Sequence, residues 1–529
     1  MAALLAAGLV PVVAAAPASA ATPDPDLASQ YCHAVASASP SWGNTTADLA
    51  AGTVTIMGRT TTFDPEHVDL AVAPAAFSDP TRRLYWQSLL WAVPVYLAGP
   101  DVAPGLRAGI VEGLAEDPDP GSATADDLAA AVAAGWSEGT NTRREQVLNC
   151  LVPLTGDDAL RASLEASVTA NLDARRYYGP PYHRVHNHGT MANLALVDSS
   201  VVLARPELGV AAAQRLLAEI PALFDSGGFT REESAAYHMF NLSLWERTYA
   251  VLAGLPAHPD LTPLAVLIRR ARVVAAQLTS PLGRLAALGD GWPTTGAAPL
   301  PNQALWLTDG WGLLAGRWSW TDPSTTWFTV RLGLPRVAHG QYDHTSFTWS
   351  TWGTDVIVDP GSYSHDPTNL LASWQSSPGA HNLAVPAHPA VLDHGSRLVT
   401  RVRSGRRDTM RITSSMFTVP VTRTLVVDDA LHRVTVTDTA RTALTEHLHL
   451  AAGWRLTHRT TYTLFFRKGH RVAVVRALTR GVRLSVVTGS RSPVAGWVFG
   501  PAKEQATPAP QVLASGGHGV TLTVSVLRG

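Results

Sequence analysis

The stretch Gly289-Asp290-Gly291-Trp292-Pro293 separates two parts of the chain that have different hydrophobic patterns. Between about residues 80 and 280, apolar residues recur at helical spacing, as in segments 84–97, 190–203 and 233–252. After Pro293 the segments are short, rich in Thr and Val and often alternating, as in 423–427 and 520–526. The pattern predicts an α+β protein in which serial helical hairpins precede a large antiparallel β-sandwich.

The length of 529 residues exceeds what one hydrophobic core usually supports, so we expect two or three domains. We place a helical domain at residues 21–295 and a sandwich domain at 296–529. A bundle, a solenoid and an α/α toroid all fit a series of helical segments, and periodicity does not choose between them. No low-complexity linker marks the boundary, which indicates domains that pack tightly.

Residues 1–20 form an apolar stretch that ends in Ala18-Ser19-Ala20, which is typical of a signal peptide cleaved before Ala21. Secretion is therefore expected, although the usual positive n-region is missing. A start codon assigned too far downstream, or a disordered Ala-rich leader, would also explain this segment. In an oxidising compartment Cys32 and Cys150 can pair, and two buried free thiols are the alternative.

Charge is distributed unevenly along the chain. From residue 300 onward there are 23 basic and 13 acidic residues, which leaves 18 basic and 29 acidic residues before it. This asymmetry suggests domain docking, or a cleft with a basic wall that attracts a polyanion. After the N-terminus, no apolar run is long enough to cross a bilayer.

The first motif with chemical potential is His186-Asn187-His188-Gly189-Thr190, just before a helical pattern that begins at Thr190 or Met191. Amide and imidazole groups at a helix N-terminus suit a carboxylate, because the helix dipole and free N–H groups add to them. A capped helix start with surface histidines is the competing interpretation.

A second motif ends in Tyr237-His238 and turns into another helix. Tyr237 follows Glu233 by one helical turn, so the two are expected on the same face. By itself such a tyrosine is most often an amphipathic core residue with its hydroxyl near water. A functional interpretation depends on the other motifs.

The third cluster combines His339-Gly340-Gln341-Tyr342-Asp343-His344, the segment 358–363 and His381-Asn382. On a strand, His339 and Gln341 face the same side. Gln341, Asp359 and His381 together offer one nitrogen and two oxygens to a divalent cation. A neutral Gln is a poor zinc ligand, so calcium or no metal at all remains open. The alternative is a set of histidines that form hydrogen bonds at a domain interface.

Taken together, these motifs resemble the heparinase II/III-like superfamily of polysaccharide lyases, which includes heparan-sulfate and oligo-alginate lyases. The matching stretches, in the family's order, are Asn187-His188-Gly189-Thr190, Glu233-Ser234-Ala235-Ala236-Tyr237-His238, 339–347, Asp359-Pro360-Gly361-Ser362-Tyr363 and His381-Asn382. The resemblance implies an N-terminal α/α toroid and a C-terminal antiparallel β-sandwich, with the substrate in the cleft between them. It also implies one structural divalent cation, zinc or calcium, and no organic cofactor. Gln341 departs from the histidine ligand of many members, which puts metal binding in doubt.

The resemblance also implies roles in β-elimination at a uronic acid. Asn187 and His188 would neutralise the C5 carboxylate, and Tyr237 would transfer a proton at O4 and, for one sugar epimer, also at C5. His339 would be the base for the other epimer or a second neutraliser, and Tyr363 a secondary acid. A tyrosine acts as a base only when nearby positive charge lowers its pKa, which protonated His188 or His339 would do.

Glu233, His238 and Arg336 are the expected substrate contacts. The expected partner is an anionic polysaccharide, with no nucleic acid and no membrane, and the sequence does not set the oligomeric state. A heparin-like or heparan-sulfate-like glycosaminoglycan is favoured, and alginate or another unsulfated uronate polymer is the alternative. Arg401, Arg403, Arg406 and Arg407 would meet sulfates, or would simply line solvated strands.

Two other functions fit the pattern less well. A glycoside hydrolase of the α/α toroid type would use paired carboxylates, with Glu232, Glu233 and Asp290 as candidates. The motifs are instead rich in Asn, His and Tyr. An inactive carbohydrate-binding protein would fit the altered metal motif but not the joint presence of Asn187, His188, Tyr237 and His339.

Overall fold

The computed structural model describes residues 42–77, 80–117, 128–178, 186–254, 259–308, 312–335, 339–366, 368–502 and 504–528, together with Cys32 and Val35. The predicted signal peptide, residues 1–20, lies outside the described residues. The chain forms two compact units. Unit 1 comprises Met1–Ala222 and Ser243–Ala265, and unit 2 comprises Leu223–Leu242 and Val266–Gly529.

Most of the helices precede the sandwich. The described α-helices are α1 (Thr46–Ala50), α2 (Pro80–Gln87), α3 (Val93–Leu97), α4 (Pro104–Glu116), α5 (Leu128–Thr155), α6 (Asp158–Leu172), α7 (Ala174–Tyr178), α8 (Asn187–Val202), α9 (Pro206–Leu223), α10 (Ala235–Ala253), α11 (Thr262–Gln277) and α12 (Leu370–Gln375). Short 3-10 helices lie at Ala75–Phe77, Leu90–Ala92 and Pro378–Ala380. Within the described residues, no helix combines the length and the apolar character needed to cross a bilayer.

The turn between α5 and α6 shows how the sequence sets a helical hairpin in unit 1. Gly156 follows α5 with φ 67°, a left-handed conformation that glycine adopts at little cost and that ends a helix. The carboxylate of Asp157 then accepts hydrogen bonds from the backbone N–H groups of Ala159 (2.8 Å) and Leu160 (3.1 Å). These bonds satisfy two free donors at the start of α6, so the chain reverses direction within three residues.

A buried polar network joins α5, α6 and α8 in unit 1. Ser199 Oγ donates to Glu145 Oε1 (2.8 Å), and Asn171 Nδ2 donates to Glu145 Oε2 (2.8 Å). Asn149 Nδ2 donates to the carbonyl of Ala195 (3.1 Å). Because each of these groups is buried, loss of a partner would leave an unsatisfied polar atom in the core. The network therefore fixes α8, which carries Asn187 and His188 at its start.

Cys32 and Cys150 form a disulfide, with their Cα atoms 4.9 Å apart. Both residues are fully buried, and Cys150 belongs to α5. Of the two alternatives left open by the sequence, the structure has the paired one.

The strands are antiparallel throughout the described residues. They are β1 (Thr53–Ile56), β2 (Arg59–Thr62), β3 (Trp306–Thr308), β4 (Leu313–Arg317), β5 (Trp327–Arg331), β6 (Phe347–Thr351), β7 (Thr354–Ile357), β8 (Ala384–Pro386), β9 (Ser396–Ser404), β10 (Arg407–Ser414), β11 (Val421–Asp428), β12 (Arg433–Thr439), β13 (Leu444–His449), β14 (Arg455–Arg459), β15 (Thr463–Lys468), β16 (Arg471–Ala477), β17 (Arg483–Thr488), β18 (Ser490–Arg491), β19 (Val494–Ala495), β20 (Trp497–Phe499), β21 (Ala506–Pro508), β22 (Pro510–Gly516) and β23 (Gly519–Arg528).

Three sheets make up the sandwich of unit 2. The largest has the order β14-β15-β16-β23-β12-β11-β10-β9, and the others have the orders β17-β22-β13-β8 and β3-β4-β5-β6-β7. A bridge between Ile357 and Leu450 connects the two smaller sheets. Inward residues of all three sheets share one core, since Leu425 of β11, Val512 of β22 and Phe328 of β5 belong to the same buried cluster.

Strand alternation explains which side chains enter that core. In β11 the buried residues are Val421, Arg423, Leu425 and Val427, with partly exposed residues between them. A period of two is what a strand with one buried face requires. Arg423 differs from the other three inward-facing residues of β11, because its side chain is charged.

The Arg423 guanidinium is fully buried and paired. It donates to both carboxylate oxygens of Asp438 (2.9 and 2.8 Å) and to Glu446 (2.8 and 2.7 Å). It also donates to the backbone carbonyls of Thr345 (2.8 Å) and Asn382 (2.6 Å). Arg423 therefore anchors the ends of two segments that carry sequence motifs, the loop from His339 to Thr345 and the pair His381-Asn382.

The change from helices to strands falls between Gln277, the last residue of α11, and Trp306, the first residue of β3. This interval contains the stretch 289–293. The domain limits 21–295 and 296–529 stay predictions. The compact units place Leu223–Leu242 and everything from Val266 onward together with the strands.

Candidate functional site

Tyr237 lies in the first turn of α10, within unit 2. The turn before it places Glu233 in the left-handed region (φ 58°), and the backbone N–H of His238 donates to the carbonyl of Ser234 (2.8 Å). Asn241 Nδ2 donates to the carbonyl of Tyr237 (3.0 Å) and to Glu232 Oε1 (2.9 Å). The helix start is therefore held by its own side chains, and Tyr237 is 7% exposed.

The imidazole of His339 stacks on the ring of Tyr237. Their centroids are 3.3 Å apart and their planes differ by 9°. The side chain of His339 is 24% exposed, so the pair has one edge toward solvent. The stack therefore places the imidazole of His339 directly against the face of the tyrosine ring.

Asp290 holds His339 in place. Asp290 Oδ2 lies 3.1 Å from His339 Nδ1 and 3.4 Å from His365 Nε2, and Gln341 Nε2 donates to Asp290 Oδ1 (2.8 Å). Burial alone would raise the pKa of Asp290, but the hydrogen bonds from His339 and His365 outweigh burial and hold the pKa well below its usual range. Asp290 is therefore an ionised acceptor.

A second carboxylate approaches the other nitrogen of the His339 ring. Glu232 Oε2 lies 3.7 Å from His339 Nε2, a distance too long for a hydrogen bond but short enough for a charge interaction. Glu232 is buried, with 3% of its surface exposed. His339 thus lies between two carboxylates, and only Asp290 binds it directly.

Glu233 is paired with a buried arginine. Arg331 of β5 lies 3.3 Å from Glu233 Oε2 and donates to Asp343 through Nε (3.2 Å), and it is fully buried. Burial would lower the pKa of Arg331, but Asp343 and Glu233 raise it above its ordinary value. The pair ties the turn before Tyr237 to the sandwich core of unit 2.

Two of the expected substrate contacts are buried. Glu233 is 1% exposed and engaged with Arg331, and His238 is fully buried with Nε2 2.9 Å from the carbonyl of Ala271. Burial lowers the pKa of His238 to about 4 despite that hydrogen bond, so its ring is neutral. Both residues are therefore engaged in packing and ion pairing, and their contact with a substrate stays a prediction. Arg336, the third expected contact, lies outside the described residues.

The expected metal ligands occupy two neighbouring polar groups. His381 Nδ1 lies 2.9 Å from Asp359 Oδ2, and both residues are buried. Burial opposes charge on His381, but Asp359 outweighs burial and raises the pKa of the imidazole. Gln341 instead directs its amide nitrogen to Asp290.

Two buried atoms of the expected metal ligands are available to coordinate a cation. Gln341 Oε1 and His381 Nε2 have no hydrogen-bond partner among the described residues. A metal-binding histidine commonly donates its other ring nitrogen to a carboxylate, which is the relation of His381 to Asp359. The residues therefore fit a divalent cation, with Asp359 orienting His381 or binding directly.

A different group of three side chains also has metal-binding spacing. In Asp290, His339 and His365 one ligand atom each lies within 4.8 Å of the other two. This is the cluster that surrounds the Tyr237 stack, and the hydrogen bonds already described account for its short distances.

Tyr363 lies beside the cluster in sequence but packs elsewhere. Its ring contacts Phe499 with a centroid separation of 5.3 Å, and its backbone N–H donates to Gln375. His365, two residues later, is the member of this segment that reaches Asp290.

Asn187 and His188 begin α8 in unit 1. His186 is the N-cap, and its Nδ1 accepts a hydrogen bond from the backbone N–H of His188 (3.3 Å). The helix thus starts three or four residues earlier than the apolar pattern indicated, because an imidazole replaces the usual Ser or Asp cap. Asn187 is 3% exposed, and His188 is partly buried.

No protein-family model matches the chain, and no curated protein sequence does. Solved structures do match. A mutant of heparan sulfate lyase HepC from Pedobacter heparinus superposes with a TM-score of 0.64 at 14% identity, over 96% of this chain and 89% of that chain. A heparinase III structure gives a TM-score of 0.67 at 13% identity, over 87% and 79% of the two chains. A mutant of chondroitin AC lyase from Streptomyces coelicolor A3 gives 0.51 at 13% identity, over 99% and 82%.

The chain has the fold of heparan sulfate lyases. The predicted fold class, an α/α toroid followed by an antiparallel β-sandwich, is thereby confirmed. The superpositions establish the fold, and identities of 13–14% leave the reaction to be argued from the site itself.

Two residues of the cluster were not foreseen as parts of a lyase site. Asp290 entered the sequence argument as a hydrolase acid, and His365 did not enter it at all. The available signal for Asp290 was its place between Gly289 and Gly291, since glycines on both sides permit close backbone approach. For His365 the sequence offered no distinguishing signal.

Proposed function

We propose that the protein is a secreted polysaccharide lyase that cleaves a uronic-acid-containing polysaccharide by β-elimination. A heparin-like or heparan-sulfate-like glycosaminoglycan is the favoured substrate. The observation that carries the proposal is the Tyr237–His339 stack, held by Asp290, within the fold of heparan sulfate lyases. Export is part of the proposal, and the intact mass of exported protein tests cleavage before Ala21.

The reaction requires three events at the sugar. The C5 carboxylate is neutralised, a base removes the C5 proton, and the bond from C4 to the leaving O4 breaks while an acid protonates O4. The electron pair of the C5–H bond becomes the C4=C5 double bond of the product. Each event needs a positioned polar group, because an enolate-like intermediate is unstable without preorganised donors.

Tyr237 and His339 meet the proton-transfer requirement. Tyr237 protonates O4 and, for one epimer, also abstracts the C5 proton, with a protonated His339 against its ring to stabilise the phenolate. For the other epimer, His339 is the base, through Nε2, because Asp290 occupies Nδ1. Tyr363 is the reserve candidate for the acid.

Asn187 and His188 are assigned to the C5 carboxylate. The first turn of a helix offers free N–H groups and the positive end of the helix dipole, so α8 adds to the donors of these two side chains. A divalent cation, where bound, would be held by Gln341, Asp359 and His381 and would stiffen the loop that carries His339. No step of the reaction passes through that cation.

The test is ultraviolet absorbance during incubation with heparan sulfate, heparin, chondroitin sulfate, hyaluronan and alginate, because only elimination creates a conjugated C4=C5 bond. Tyr237→Phe should lower the rate by about 10²-fold or more. Tyr462→Phe, at a tyrosine that is 41% exposed on the sandwich, is the matched control and should keep the wild-type rate.

Two results would count against the proposal. New reducing ends without absorbance would indicate hydrolysis and move attention to Asp290 and Glu232. Equal rates for Tyr237→Phe and Tyr462→Phe would remove Tyr237 from the mechanism.

A further inference from the structure

One short segment, residues 288–292, contacts three separate motif stretches of unit 2. We call it the clasp segment. The backbone N–H of Ala235, at the start of α10, donates to the carbonyl of Leu288 (3.2 Å), and the N–H of Asp290 donates to the carbonyl of His339 (2.8 Å). Trp292 Nε1 donates to the carbonyl of Ser362 (2.7 Å). The clasp segment therefore touches the tyrosine turn, the histidine loop and the segment that leads to His365.

Within the clasp segment, Asp290 holds His339 twice. The backbone bond fixes the position of the histidine's main chain, and the carboxylate fixes its ring through Nδ1 (3.1 Å). The second carboxylate oxygen accepts from Gln341 Nε2 (2.8 Å), so the carboxylate cannot rotate away from the imidazole without losing that bond. The geometry leaves one orientation for the ring.

We infer that Asp290 is the positioning residue of His339: it accepts the Nδ1 proton and so leaves Nε2, which lies 3.7 Å from Glu232 Oε2, as the nitrogen whose lone pair acts as the base. The inference rests on the proposed lyase function for its kinetic consequence. An imidazole acts as a base only through the nitrogen that lacks a proton, and the hydrogen bond at the other nitrogen decides which one that is. The stacked Tyr237 fixes the plane of the ring, and Asp290 fixes its rotation within that plane.

This assignment also decides between two roles for Asp290. A hydrolase acid must present an oxygen to the scissile bond. Both oxygens of Asp290 already accept hydrogen bonds, Oδ1 from Gln341 and Oδ2 from His339, and Oδ2 also lies 3.4 Å from His365 Nε2. Asp290 therefore has no carboxylate oxygen without a protein partner, which favours a role in positioning His339 over a role as a hydrolase acid.

Asp290→Asn gives the sharpest kinetic test, because the amide has one acceptor and one donor end. Gln341 Nε2 can only donate, so the amide oxygen turns to Gln341 and the amide nitrogen faces His339. Nδ1 must then accept, which places the proton on Nε2 and removes the base. We expect kcat to fall by about 10²-fold while KM changes by less than about threefold.

Asp290→Ala provides the rescue experiment. Its kcat should also fall, and added formate should restore about tenfold of the lost rate, since a small carboxylate can occupy the vacated space beside Nδ1. The control is Asp355→Asn, which changes a partly buried aspartate paired with Arg284 and should leave kcat unchanged with no response to formate. Circular dichroism melts confirm that each variant is folded.

A spectroscopic measurement separates failure of this inference from failure of the proposed function. Long-range ¹H–¹⁵N correlation spectra, with the His339 signals assigned by His339→Gln, report which ring nitrogen is protonated without any substrate. We expect protonated Nδ1 in the wild type and a change of tautomer in Asp290→Asn. If no polymer gives absorbance, the lyase proposal fails and the spectra alone decide the inference.

Three results would overturn the inference. They are a wild-type His339 with its only proton on Nε2, an Asp290→Asn variant with wild-type kcat, and an Asp290→Ala variant that is folded and slow but does not respond to formate.

Discussion

Arg331 shows how one residue can serve the site without touching a substrate. Its guanidinium is fully buried and lies between Glu233, in the turn before Tyr237, and Asp343, in the loop after His339. It also donates to the backbone carbonyl of Leu332 (3.0 Å). Removal of one member of such a group leaves buried charges without compensation.

Arg331→Met should therefore lower the free energy of unfolding by about 3–5 kcal/mol. Urea denaturation followed by circular dichroism measures the loss. The matched control is Arg284→Met, since Arg284 pairs with Asp355 while its side chain is 49% exposed, and it should lose less than about 1 kcal/mol. Equal losses of unfolding free energy in the two variants would mean that the buried ion pair contributes no more to stability than the exposed one.

At the residue scale, the sequence showed which residues have reactive side chains more reliably than it showed which of them are exposed to solvent. Tyr237 and His339 were predicted together, and the structure stacks them. His238 and Glu233 were predicted to contact substrate, but both are buried: His238, in α10, contacts Ala271, and Glu233, in the turn before α10, pairs with Arg331. Composition marks a residue as polar, whereas only the packed neighbours decide whether it meets water.

Among the elements, the clasp segment contains a glycine at which two other backbone segments approach closely. Gly289 has φ 58°, and a Cβ atom there would lie 2.6 Å from the carbonyl oxygen of His339 and 2.7 Å from that of Glu233. Both neighbours are backbone atoms, so they cannot move aside as a flexible side chain would. The absence of a side chain at this position is what lets the two motif stretches approach each other.

Gly289→Ala should consequently reduce activity strongly, by about 10²-fold, because it must separate the Tyr237 turn from the His339 loop. Gly283→Ala is the control, since Gly283 also has a positive φ (73°) but nothing within 4 Å of an added Cβ. It should cost about 1 kcal/mol of stability and no activity. The initial rate of absorbance change measures the activity of both variants, and the thermal midpoint measures their stability. A Gly289→Ala variant with wild-type activity would show that the site does not need the close backbone approach at Gly289.

The sequence predicted element types well and some starts poorly. The Thr/Val-rich segments after residue 420 form strands such as β11, β12 and β23 because their alternation matches a sheet with one buried face. The β1–β2 hairpin escaped notice because it is short and polar on one strand. The start of α8 was missed because histidine is an uncommon N-cap.

For the molecule as a whole, buried neutral histidines contribute to the response to acid. Burial lowers the pKa of both His238 and His447 to about 4, from an ordinary value of 6.5. The folded state therefore binds fewer protons than the unfolded state between these two values. The stability from each group is fully present above about pH 6.5 and is lost as the pH falls toward 4.

We expect the free energy of unfolding to drop on the order of 3 kcal/mol for each of these two groups between pH 7 and pH 4. Urea midpoints at several pH values measure the slope. His238→Gln should flatten the slope, whereas replacement of the exposed His518 by Asn should not. An identical slope in all three proteins would show that other groups govern acid sensitivity.

At this scale the fold class was readable from periodicity, but the grouping of segments into compact units was not. The residues Leu223–Leu242 read as ordinary helical sequence, yet they belong to unit 2 with the strands. Their ion pairs and hydrogen bonds to Arg331 and Leu288 draw them there, and such long-range partners leave no local pattern.

The clasp segment also has a consequence for the order of folding. Asp290 and His339 are 49 residues apart in the chain, and Trp292 and Ser362 are 70 residues apart. Contacts across such separations form slowly and late, after the nearby helices have nucleated. A nascent chain that has been made only as far as α11 already contains Tyr237 but lacks Asp290 and His339. The surroundings of Tyr237 are thus completed only after the chain has been made as far as His339 and Ser362.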